Sequence, residues 1–522
     1  MKFTIPITDR ARSLVAAMTT ESLLNQIACP QCFTHNPLPD QTDFGALFFH
    51  PSTREKLRAA IAEFKARCSF PPLITTDMEN GPGDMITDGT RFPSLMAAGI
   101  VGDEKLAWEM GRAAALEGRE AGFNWSLSPC VDIAAIMDSP MVSLRAAGRD
   151  PDTVIRIASA FMRGMQKNGM IATIKHFPGD GYDIYDQHLT VSCNPQSKEQ
   201  WMATSGRVFR ALIDDGAVAV MPGHISLPAF DGPWEDTGFF PPASISKRLL
   251  TDLLRGELGF DGLIVSDAVN MGGFAGFMNR FDATVKFLEA GGDCVLFPHL
   301  DYFHTEMKKR LDSGMLAREL LVARAERIVS LKDKLGLLDG NLEPPTDIDR
   351  SRHESAARTL IDRCVRVVRD RNRILPFPIE KSTRVAHLVI SMKPDAEKEL
   401  HAAMAAALAA RSDHVTSLDV TWPEPIFDRV YAGEFDLIVC SICARHDYGT
   451  NVARLSGPPA RLMMTGWMKL GTPTVFVNHF HPFVEQEYLF STDTLINTFG
   501  STPYTMERVV RGITGEQPFF SK

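Results

Sequence analysis

Two aspartates and one loop of this chain combine residue types and spacing that suit catalysis. Asp77 ends the apolar segment LITTD and Asp267 ends the apolar segment GLIVSD, so each carboxylate should stand at the end of a buried strand. The loop KHFPGDGYDIYDQH closes on Asp186 and His188. In an extended segment these two side chains share one side, where the carboxylate can fix the imidazole tautomer and raise its basicity. The set predicts nucleophilic or acid–base chemistry.

The same loop begins with Lys175 and His176, which continue the apolar segment MIATI and should donate hydrogen bonds at the end of a strand. Gly179 and Gly181 then predict a hinge that leaves the rest of the loop mobile. Each motif also has an ordinary structural explanation: an aspartate after a strand often caps a turn or helix, and an isolated Asp-x-His triplet is typical of a solvated turn. The functional interpretation therefore depends on several strand ends meeting at one cleft.

The elements that must position these residues alternate between strands and helices. Strand-length apolar runs begin at residues 45, 72, 123, 170, 217, 262 and 293, and segments with helical periodicity separate them. Such alternation predicts a parallel sheet, either open and doubly wound or closed. Most runs end in a polar residue, and a barrel gathers such ends around one mouth. We therefore predict an α/β fold, with a (β/α)8 TIM-like barrel followed by a smaller α/β sandwich domain.

The chain is too long for a single hydrophobic core, since it has 522 residues. The segment NLEPPTDIDRSRHE interrupts the alternation with prolines and charges, which is typical of a linker. We predict a barrel catalytic domain over residues 1–345, a linker or strap over 346–381 and the sandwich domain over 382–522.

The composition argues against several classes of function. With 55 Lys and Arg against 64 Asp and Glu and no run of like charge, the chain is not expected to bind nucleic acid. It has no apolar stretch of membrane-spanning length and no secretory signal pattern, so we expect no membrane partner and a cytoplasmic location. Nine scattered cysteines predict reduced thiols. The C-x-x-C pairs Cys29/Cys32 and Cys440/Cys443 would form a zinc site only across two predicted domains, so we predict no metal and no cofactor.

Taken together, the motifs resemble glycoside hydrolase family 3, and within it the β-N-acetylglucosaminidase branch. KHFPGDG followed by an Asp-x-His triplet is similar to the loop of that branch, and GFDGLIVSDAVNM is similar to its nucleophile segment. Further matches are TRFPS, SPCVDI, GRDP and PASIS. RCVRVVRDRNRILPF resembles the strap that leads into the family's C-terminal sandwich domain. The resemblance covers most of the chain.

The resemblance implies a retaining exo-β-glycosidase that removes a terminal β-linked sugar, N-acetylglucosamine in that branch. Asp267 would be the nucleophile that forms a covalent glycosyl-enzyme, and His188 would be the acid/base, oriented by Asp186. The positions matched to hydroxyl-binding residues of the family are Asp77, Arg145, Lys175 and His176. The implied partner is a carbohydrate or glycoconjugate, and the oligomeric state stays open.

Two segments depart from the family pattern near the sugar site. DMENGPGDMITDGTR carries Pro82 where relatives have an arginine and adds Asp84 and Asp88, and RAAG at 145–148 replaces the common R-S-F-G. In the alternative to altered specificity, Arg91 or a rearrangement of the loop restores the lost contact. We therefore keep three alternatives: a β-glucosidase or glucosaminidase of altered specificity, a glycoside phosphorylase, because a neutral imidazole does not repel phosphate, and a non-catalytic carbohydrate-binding protein.

Overall fold

The computed structural model describes residues 1–234, 237–340, 344–445, 448–451, 454–482 and 484–520. The chain divides into two compact units. The first unit comprises Met1–Arg91, Asp103–Val142 and Ala146–His353, and the second comprises Phe92–Gly102, Ser143–Arg145 and Glu354–Lys522. The domain boundaries predicted after residues 345 and 381 stay a prediction.

The first unit is built on a closed ring of parallel strands. Its strands are β1 Ala28–Cys29, β2 Gln31–Cys32, β3 Ala46–Phe49, β4 Leu73–Thr76, β5 Trp125–Ser126, β6 Ile171–Phe177, β7 Ser192–Cys193, β8 Ala219–Pro222, β9 Ile225–Ser226, β10 Leu263–Ile264 and β11 Val295–Leu296. The main sheet has the order β10-β8-β6-β5-β4-β3-β2, and β1 pairs with β11. A parallel bridge between Val265 and Cys294 joins the segments of β10 and β11 and closes the ring. The predicted barrel is thereby confirmed.

The eighth barrel strand is the one that the apolar runs do not reveal. It consists of β1 and β2, two dipeptides on either side of Pro30. Proline has no N–H to give to the ladder, so it interrupts a strand at the point where it stands. The carbonyl of Pro30 still accepts a hydrogen bond from the Phe48 N–H at 3.0 Å, which keeps the broken strand beside β3.

Helices alternate with the strands in both units, and a π-helix of ten residues, Arg248–Glu257, precedes β10. In chain order the helices are α1 Asp9–Ala16, α2 Thr20–Gln26, α3 Arg54–Arg67, α4 Leu95–Val101, α5 Glu104–Ala121, α6 Pro151–Gln166, α7 Lys198–Ala203, α8 Ser205–Asp214, α9 Gly272–Ala275, α10 Arg280–Ala290, α11 Leu300–Asp312, α12 Arg318–Lys334, α13 Arg350–Cys364, α14 Lys398–Ala409, α15 Glu424–Tyr431, α16 Gly457–Arg461, α17 Val484–Glu487 and α18 Pro503–Thr514. Two helix starts carry residues that favour them, since Asp103 caps α5 and Asp150 caps α6, which opens on Pro151. In the described part of the chain, none of the helices combines the length and apolar character needed to cross a membrane.

The second unit contains a six-stranded sheet. Its strands are β12 Arg366–Asp370, β13 Arg384–Ser391, β14 His414–Leu418, β15 Leu437–Cys443, β16 Thr474–Asn478 and β17 Thr494–Asn497. The order is β12-β17-β16-β15-β13-β14, with β12 antiparallel to β17 and the other pairs parallel. The predicted smaller α/β domain is confirmed as a fold. The strap segment RVVRD contributes the edge strand β12, which the sequence interpretation left outside the sheet.

Candidate active site

The carboxyl ends of the barrel strands bring several predicted residues together. Lys175, near the end of β6, places its Nζ 2.7 Å from Asp77 Oδ1, just beyond β4. The same Nζ lies 2.7 Å from Glu79 Oε1. The lysine side chain is almost wholly buried, while that of Asp77 is more than a third exposed. The ammonium group therefore holds the Asp77 carboxylate at the edge of the cleft, with part of it open to solvent.

His176, the next residue of β6, is held by Asp132 after β5. Its Nδ1 lies 2.6 Å from Asp132 Oδ2, and its backbone N–H donates to Asp132 Oδ1 at 3.1 Å. Asp132 also accepts from the Asp180 N–H at 2.7 Å and from Cys130 Sγ at 3.2 Å. Burial would raise the Asp132 pKa, but His176 and the hydrogen bonds outweigh burial, so the pKa lies below its ordinary value. The carboxylate therefore stays charged and fixes the imidazole.

Asp267 follows β10 and lies on the other side of the same imidazole. Its Oδ2 is 3.9 Å from His176 Nε2, and its Oδ1 accepts a hydrogen bond from the Ala268 N–H at 2.8 Å. Burial raises the Asp267 pKa, whereas His176, His224, His188 and the Ala268 N–H lower it, and the net pKa is below the ordinary value. A 9 % exposed carboxylate that keeps its charge has the properties of a nucleophile or of a group that stabilises a cation.

The predicted Asp-x-His pair is present, but on a turn and not on an extended segment, since the Leu189 N–H donates to the Asp186 carbonyl at 2.9 Å. His188 Nδ1 lies 2.7 Å from Asp186 Oδ1, and the same oxygen accepts the His188 backbone N–H at 2.8 Å. The Asp186 side chain is fully buried, whereas the His188 side chain is about a quarter exposed. A buried carboxylate thus orients an imidazole that solvent can reach, and this arrangement can carry a proton to and from a bound substrate.

The loop that carries this pair is docked rather than free. The Gly272 N–H donates to the His188 carbonyl at 2.7 Å, and the Gly273 N–H donates to the Gln187 carbonyl at 3.1 Å. Downstream, β7 pairs with β9 and continues this anchoring. Both glycines belong to the segment just after Asp267, so the loop is bonded to the backbone that follows this carboxylate.

The two loop glycines stand where the start of the loop packs closely against its neighbours. Gly179 and Gly181 have φ angles of 113° and 98°, which favour glycine. A Cβ at Gly181 would lie 2.0 Å from the Ile133 carbonyl oxygen, and one at Gly179 would lie 2.5 Å from Ser205 Oγ. A larger residue would not fit at either position, and the mobility expected for the rest of the loop stays a prediction.

His224, which follows β8, is a buried supporting residue. Its Nδ1 lies 2.9 Å from Ser244 Oγ, and its Nε2 lies 3.1 Å from the Ala268 carbonyl oxygen. Burial lowers the pKa of His224, with Asp267 acting in the opposite direction. The His224 ring is hydrogen-bonded at both nitrogens. Through the Ala268 carbonyl it helps to position the segment after Asp267.

The structure also places Arg145 and the two additional aspartates, Asp84 and Asp88, that the sequence analysis singled out. Arg145 lies in the helical turn Ser143–Arg145, which groups with the second unit, and its sugar-binding role stays a prediction. Asp88 Oδ1 accepts the Arg54 N–H at 2.8 Å, and Asp84 Oδ2 accepts the Asn80 N–H at 2.7 Å. The additional aspartates thus accept hydrogen bonds from the protein's own backbone, and the glucosaminidase alternative stays a prediction.

Sequence reasoning missed several residues of the site. Asp132 ends a strand and was visible as such, but nothing local pairs it with His176, 44 positions away. Glu79 lies two positions after Asp77 and was not singled out. The rings of Phe33 and His50 also stack at the ends of β2 and β3, with centroids 3.9 Å apart and planes within 3°. Such an aromatic surface suits the apolar face of a sugar ring.

Cys130, Asp132 and His176 are also close enough to be considered as metal ligands. Both oxygens of Asp132 already accept two hydrogen bonds each, from the groups named above. We interpret the cluster as a hydrogen-bond network that orients His176.

We expect Asp132→Asn to reduce kcat/KM by about 10–100-fold, as losses of supporting hydrogen-bond partners commonly do. An amide has one accepting oxygen, so it would turn an N–H toward donors that the carboxylate now satisfies. Leaving a buried donor unpaired costs on the order of 1–3 kcal/mol, which thermal unfolding would detect. Asp152→Asn, an exposed change on α6, is the matched control. Wild-type kinetics and stability in Asp132→Asn would refute the orienting role.

Comparison with known proteins agrees with this geometry. The family model described as glycosyl hydrolase family 3 N terminal domain matches residues 40–331, more than half of the chain. A β-N-acetylglucosaminidase/β-glucosidase of Cellulomonas fimi is 31 % identical over 97 % of this chain and 94 % of its own length. A β-hexosaminidase of Chromobacterium violaceum is 36 % identical over 46 % of this chain and 67 % of its own.

Solved structures also match this chain over nearly its whole length. A β-glucoside phosphorylase, BglX, bound to 2FGlc superposes with a TM-score of 0.90 and 27 % identity, covering 99 % of this chain and 97 % of its own. The fold is also that of a β-N-acetylglucosaminidase from Paenibacillus, with a TM-score of 0.80 at 22 % identity over 96 % and 98 % of the two chains. The chain is therefore a member of glycoside hydrolase family 3.

Proposed function

We propose that this glycoside hydrolase is a retaining exo-β-glycosidase that removes a terminal β-linked sugar, with N-acetylglucosamine as the preferred residue. The observation that carries the proposal is the charged, buried carboxylate of Asp267 together with the Asp186–His188 pair, on a loop bonded to the segment after Asp267. A nucleophile and an oriented acid/base are the two groups that double displacement requires.

In the first step Asp267 attacks the anomeric carbon, and His188 gives a proton to the glycosidic oxygen as the bond to the leaving group breaks. The product is a covalent glycosyl-enzyme ester. In the second step neutral His188 takes a proton from water, and the hydroxide attacks the anomeric carbon as the ester bond breaks. Two inversions give net retention. Asp77, Lys175 and His176 bind sugar hydroxyl groups, and the Phe33–His50 stack faces the ring.

The sugar preference rests on two kinds of support. The relatives are described as β-N-acetylglucosaminidase/β-glucosidase and β-hexosaminidase. In addition, Asp88 forms an ion pair with Arg54 at 3.4 Å, which balances its charge within the protein, and Asp84 accepts the Asn80 N–H. We therefore favour neutral N-acetylglucosamine, then glucose, over glucosamine.

A phosphorylase is the second candidate. In it, phosphate would replace water in the second step and leave as a sugar 1-phosphate. Two observations favour it: the acid/base position carries an imidazole, which does not repel an anionic acceptor as a carboxylate would, and a relative with a TM-score of 0.90 is described as a β-glucoside phosphorylase.

A substrate panel with and without phosphate tests both candidates. We expect nitrophenyl N-acetyl-β-glucosaminide to give the highest kcat/KM, ahead of the glucoside and well ahead of the glucosaminide. Free sugar formed at an unchanged rate in phosphate identifies the hydrolase. Sugar 1-phosphate of retained configuration, detected by ³¹P NMR together with faster release of nitrophenol, identifies the phosphorylase. No turnover of any β-glycoside under either condition would leave only the carbohydrate-binding alternative.

A further inference from the structure

Three side chains of the second unit converge on one point beside β13 and β15. Cys443 Sγ lies 3.9 Å from His401 Nε2, and Glu397 Oε2 lies 4.0 Å from the same nitrogen. All three ligand atoms are within 4.8 Å of one another. A tetrahedral Zn²⁺ with bonds of about 2.0–2.3 Å keeps its ligand atoms roughly 3.3–3.7 Å apart. The Cys443–His401 and Glu397–His401 separations of 3.9 and 4.0 Å are longer than this, so the side chains would have to move together by roughly half an ångström to bind the ion.

The shared nitrogen distinguishes this cluster from a nucleophile–base–acid triad. In a triad the carboxylate holds one ring nitrogen, and the nucleophile faces the other. Here the Cys443 sulfur and the Glu397 oxygen both face Nε2 of His401. Three lone-pair donors that point to a common centre are the arrangement of a metal site.

The neighbours of Glu397 support it as a ligand. Its Oε2 accepts from Ser391 Oγ at 2.5 Å and its Oε1 accepts from Arg445 Nε at 2.9 Å, so the otherwise inaccessible carboxylate is held in place. Ligating carboxylates are usually fixed by such partners. The His401 side chain is about a fifth exposed, so its Nε2 can be reached by an ion from solvent.

Cys443 would enter the site as a thiolate. Cys443 is a free, buried thiol, and its proton must leave before the sulfur can bind a cation. A bound divalent ion would replace that proton, which passes to solvent as the sulfur–metal bond forms. Sulfur, imidazole and carboxylate together favour Zn²⁺ among common divalent ions.

The position in the fold also suits a ligand. β13 lies between β14 and β15, so the order of strands reverses there, and ligands of open α/β sheets bind at the carboxyl ends of strands at such a point. Glu397 and His401 follow β13, and Cys443 ends β15. A cavity of about 450 Å³ reaches this place, and its lining includes Ser391, His401, Ser417 and Asp419. It gives an ion and its water ligands a route to His401.

The C-x-x-C spacing played no part in this arrangement. Cys440 packs in the core cluster with Ile438 and Ile442, whereas Cys443, three positions later, faces the opposite side of β15. We infer that Glu397, His401 and Cys443 form a Zn²⁺ site in the second unit. The site is separate from the glycosidase chemistry proposed for the barrel.

Metal binding by the full chain tests this inference. Protein treated with EDTA and dialysed should take up one equivalent of Zn²⁺, measured by mass spectrometry of the metal after gel filtration. Co²⁺ alone should give a thiolate-to-cobalt charge-transfer band and the visible bands of tetrahedral coordination. Cys443→Ser should abolish the charge-transfer band and, with His401→Gln, weaken Co²⁺ binding at least about tenfold.

Three further variants locate the site. His414→Gln changes an exposed histidine of the same unit, Cys440→Ser changes a thiol on the other face of β15, and Cys130→Ser removes a thiol of the barrel cluster. All three should keep the cobalt spectrum. Circular dichroism checks that each variant is folded, and His401→Gln alters a side chain that is partly exposed. No retained Zn²⁺, wild-type affinity in folded His401→Gln, or a spectrum lost in Cys130→Ser would each overturn the assignment.

Discussion

Replacement of Asp267 by alanine is expected to lower kcat on nitrophenyl β-glycosides by on the order of 10⁴-fold or more, because no other group would form the glycosyl-enzyme ester. The variant should remain folded, since the carboxylate contributes one backbone hydrogen bond, from Ala268, and is already exposed at one edge. Added azide should restore part of the rate by entering the vacated space, and the glycosyl azide should have the opposite anomeric configuration to the substrate.

Steady-state kinetics and NMR of the azide product measure both effects. Asp301→Ala on α11, an exposed carboxylate, is the control and should behave as wild type. A kcat within about tenfold of wild type in Asp267→Ala would remove this residue from the role of nucleophile.

The environment of Asp267 also fixes one limb of the pH profile. Its pKa is lowered in the folded protein, so the carboxylate loses its charge only when the pH falls below the usual aspartate value of about 3.9. Any loss of kcat/KM observed between pH 7 and about 4 must then come from another group. Because the Asp267 pKa is lower in the folded than in the unfolded protein, its charged form stabilises the fold at pH values above the unfolded pKa. This stabilisation is lost as the pH falls through the folded pKa.

Replacement of His188 by alanine should lower kcat/KM by about 10²–10⁴-fold on substrates with poor leaving groups, because they need a proton at the glycosidic oxygen. The loss should be much smaller with dinitrophenyl glycosides, whose leaving group departs without that proton. Asp186→Asn should fall between wild type and His188→Ala. The amide keeps the geometry but no longer stabilises the charged ring or selects its tautomer.

A series of aryl glycosides of increasing leaving-group acidity separates these cases. The slope of log kcat/KM against leaving-group pKa should steepen in His188→Ala, while it stays near wild type in His299→Ala, an exposed control. An equal loss on every leaving group would show that His188 binds the sugar and does not protonate the leaving oxygen.

The parts of this molecule that could be predicted are those encoded by local patterns. Asp186 and His188 are two positions apart, so their contact depends only on the local backbone, which forms a turn and not the expected extended segment. Seven barrel strands were visible as apolar runs with polar ends. By contrast, β1 and β2 are dipeptides around Pro30, and β14 has a half-polar sequence, so neither stood out as an apolar run.

Contacts that depend on closure of the sheet were beyond sequence reasoning. The Asp132–His176 pair joins two neighbouring strands separated by a long helix, and only the register of β5 against β6 brings it together. The convergence of Glu397, His401 and Cys443 likewise requires the order of strands in the second sheet. Cys440 and Cys443 are three positions apart on β15, so their side chains lie on opposite faces of the strand. The C-x-x-C spacing therefore does not mark the site that includes Cys443.

The two hydrogen bonds from Gly272 and Gly273 to the His188 loop bear on how new specificities of this enzyme can arise. A Cβ at Gly272 would lie 2.3 Å from the Leu189 carbonyl oxygen, and one at Gly273 would lie 2.7 Å from His224 Cβ. Neither position has room for a larger residue. The segment after Asp267 and the loop that carries His188 therefore constrain each other's sequence. Variation is free at the exposed tip of the loop, Ile184 and Tyr185, which is where directed evolution toward other leaving groups should begin.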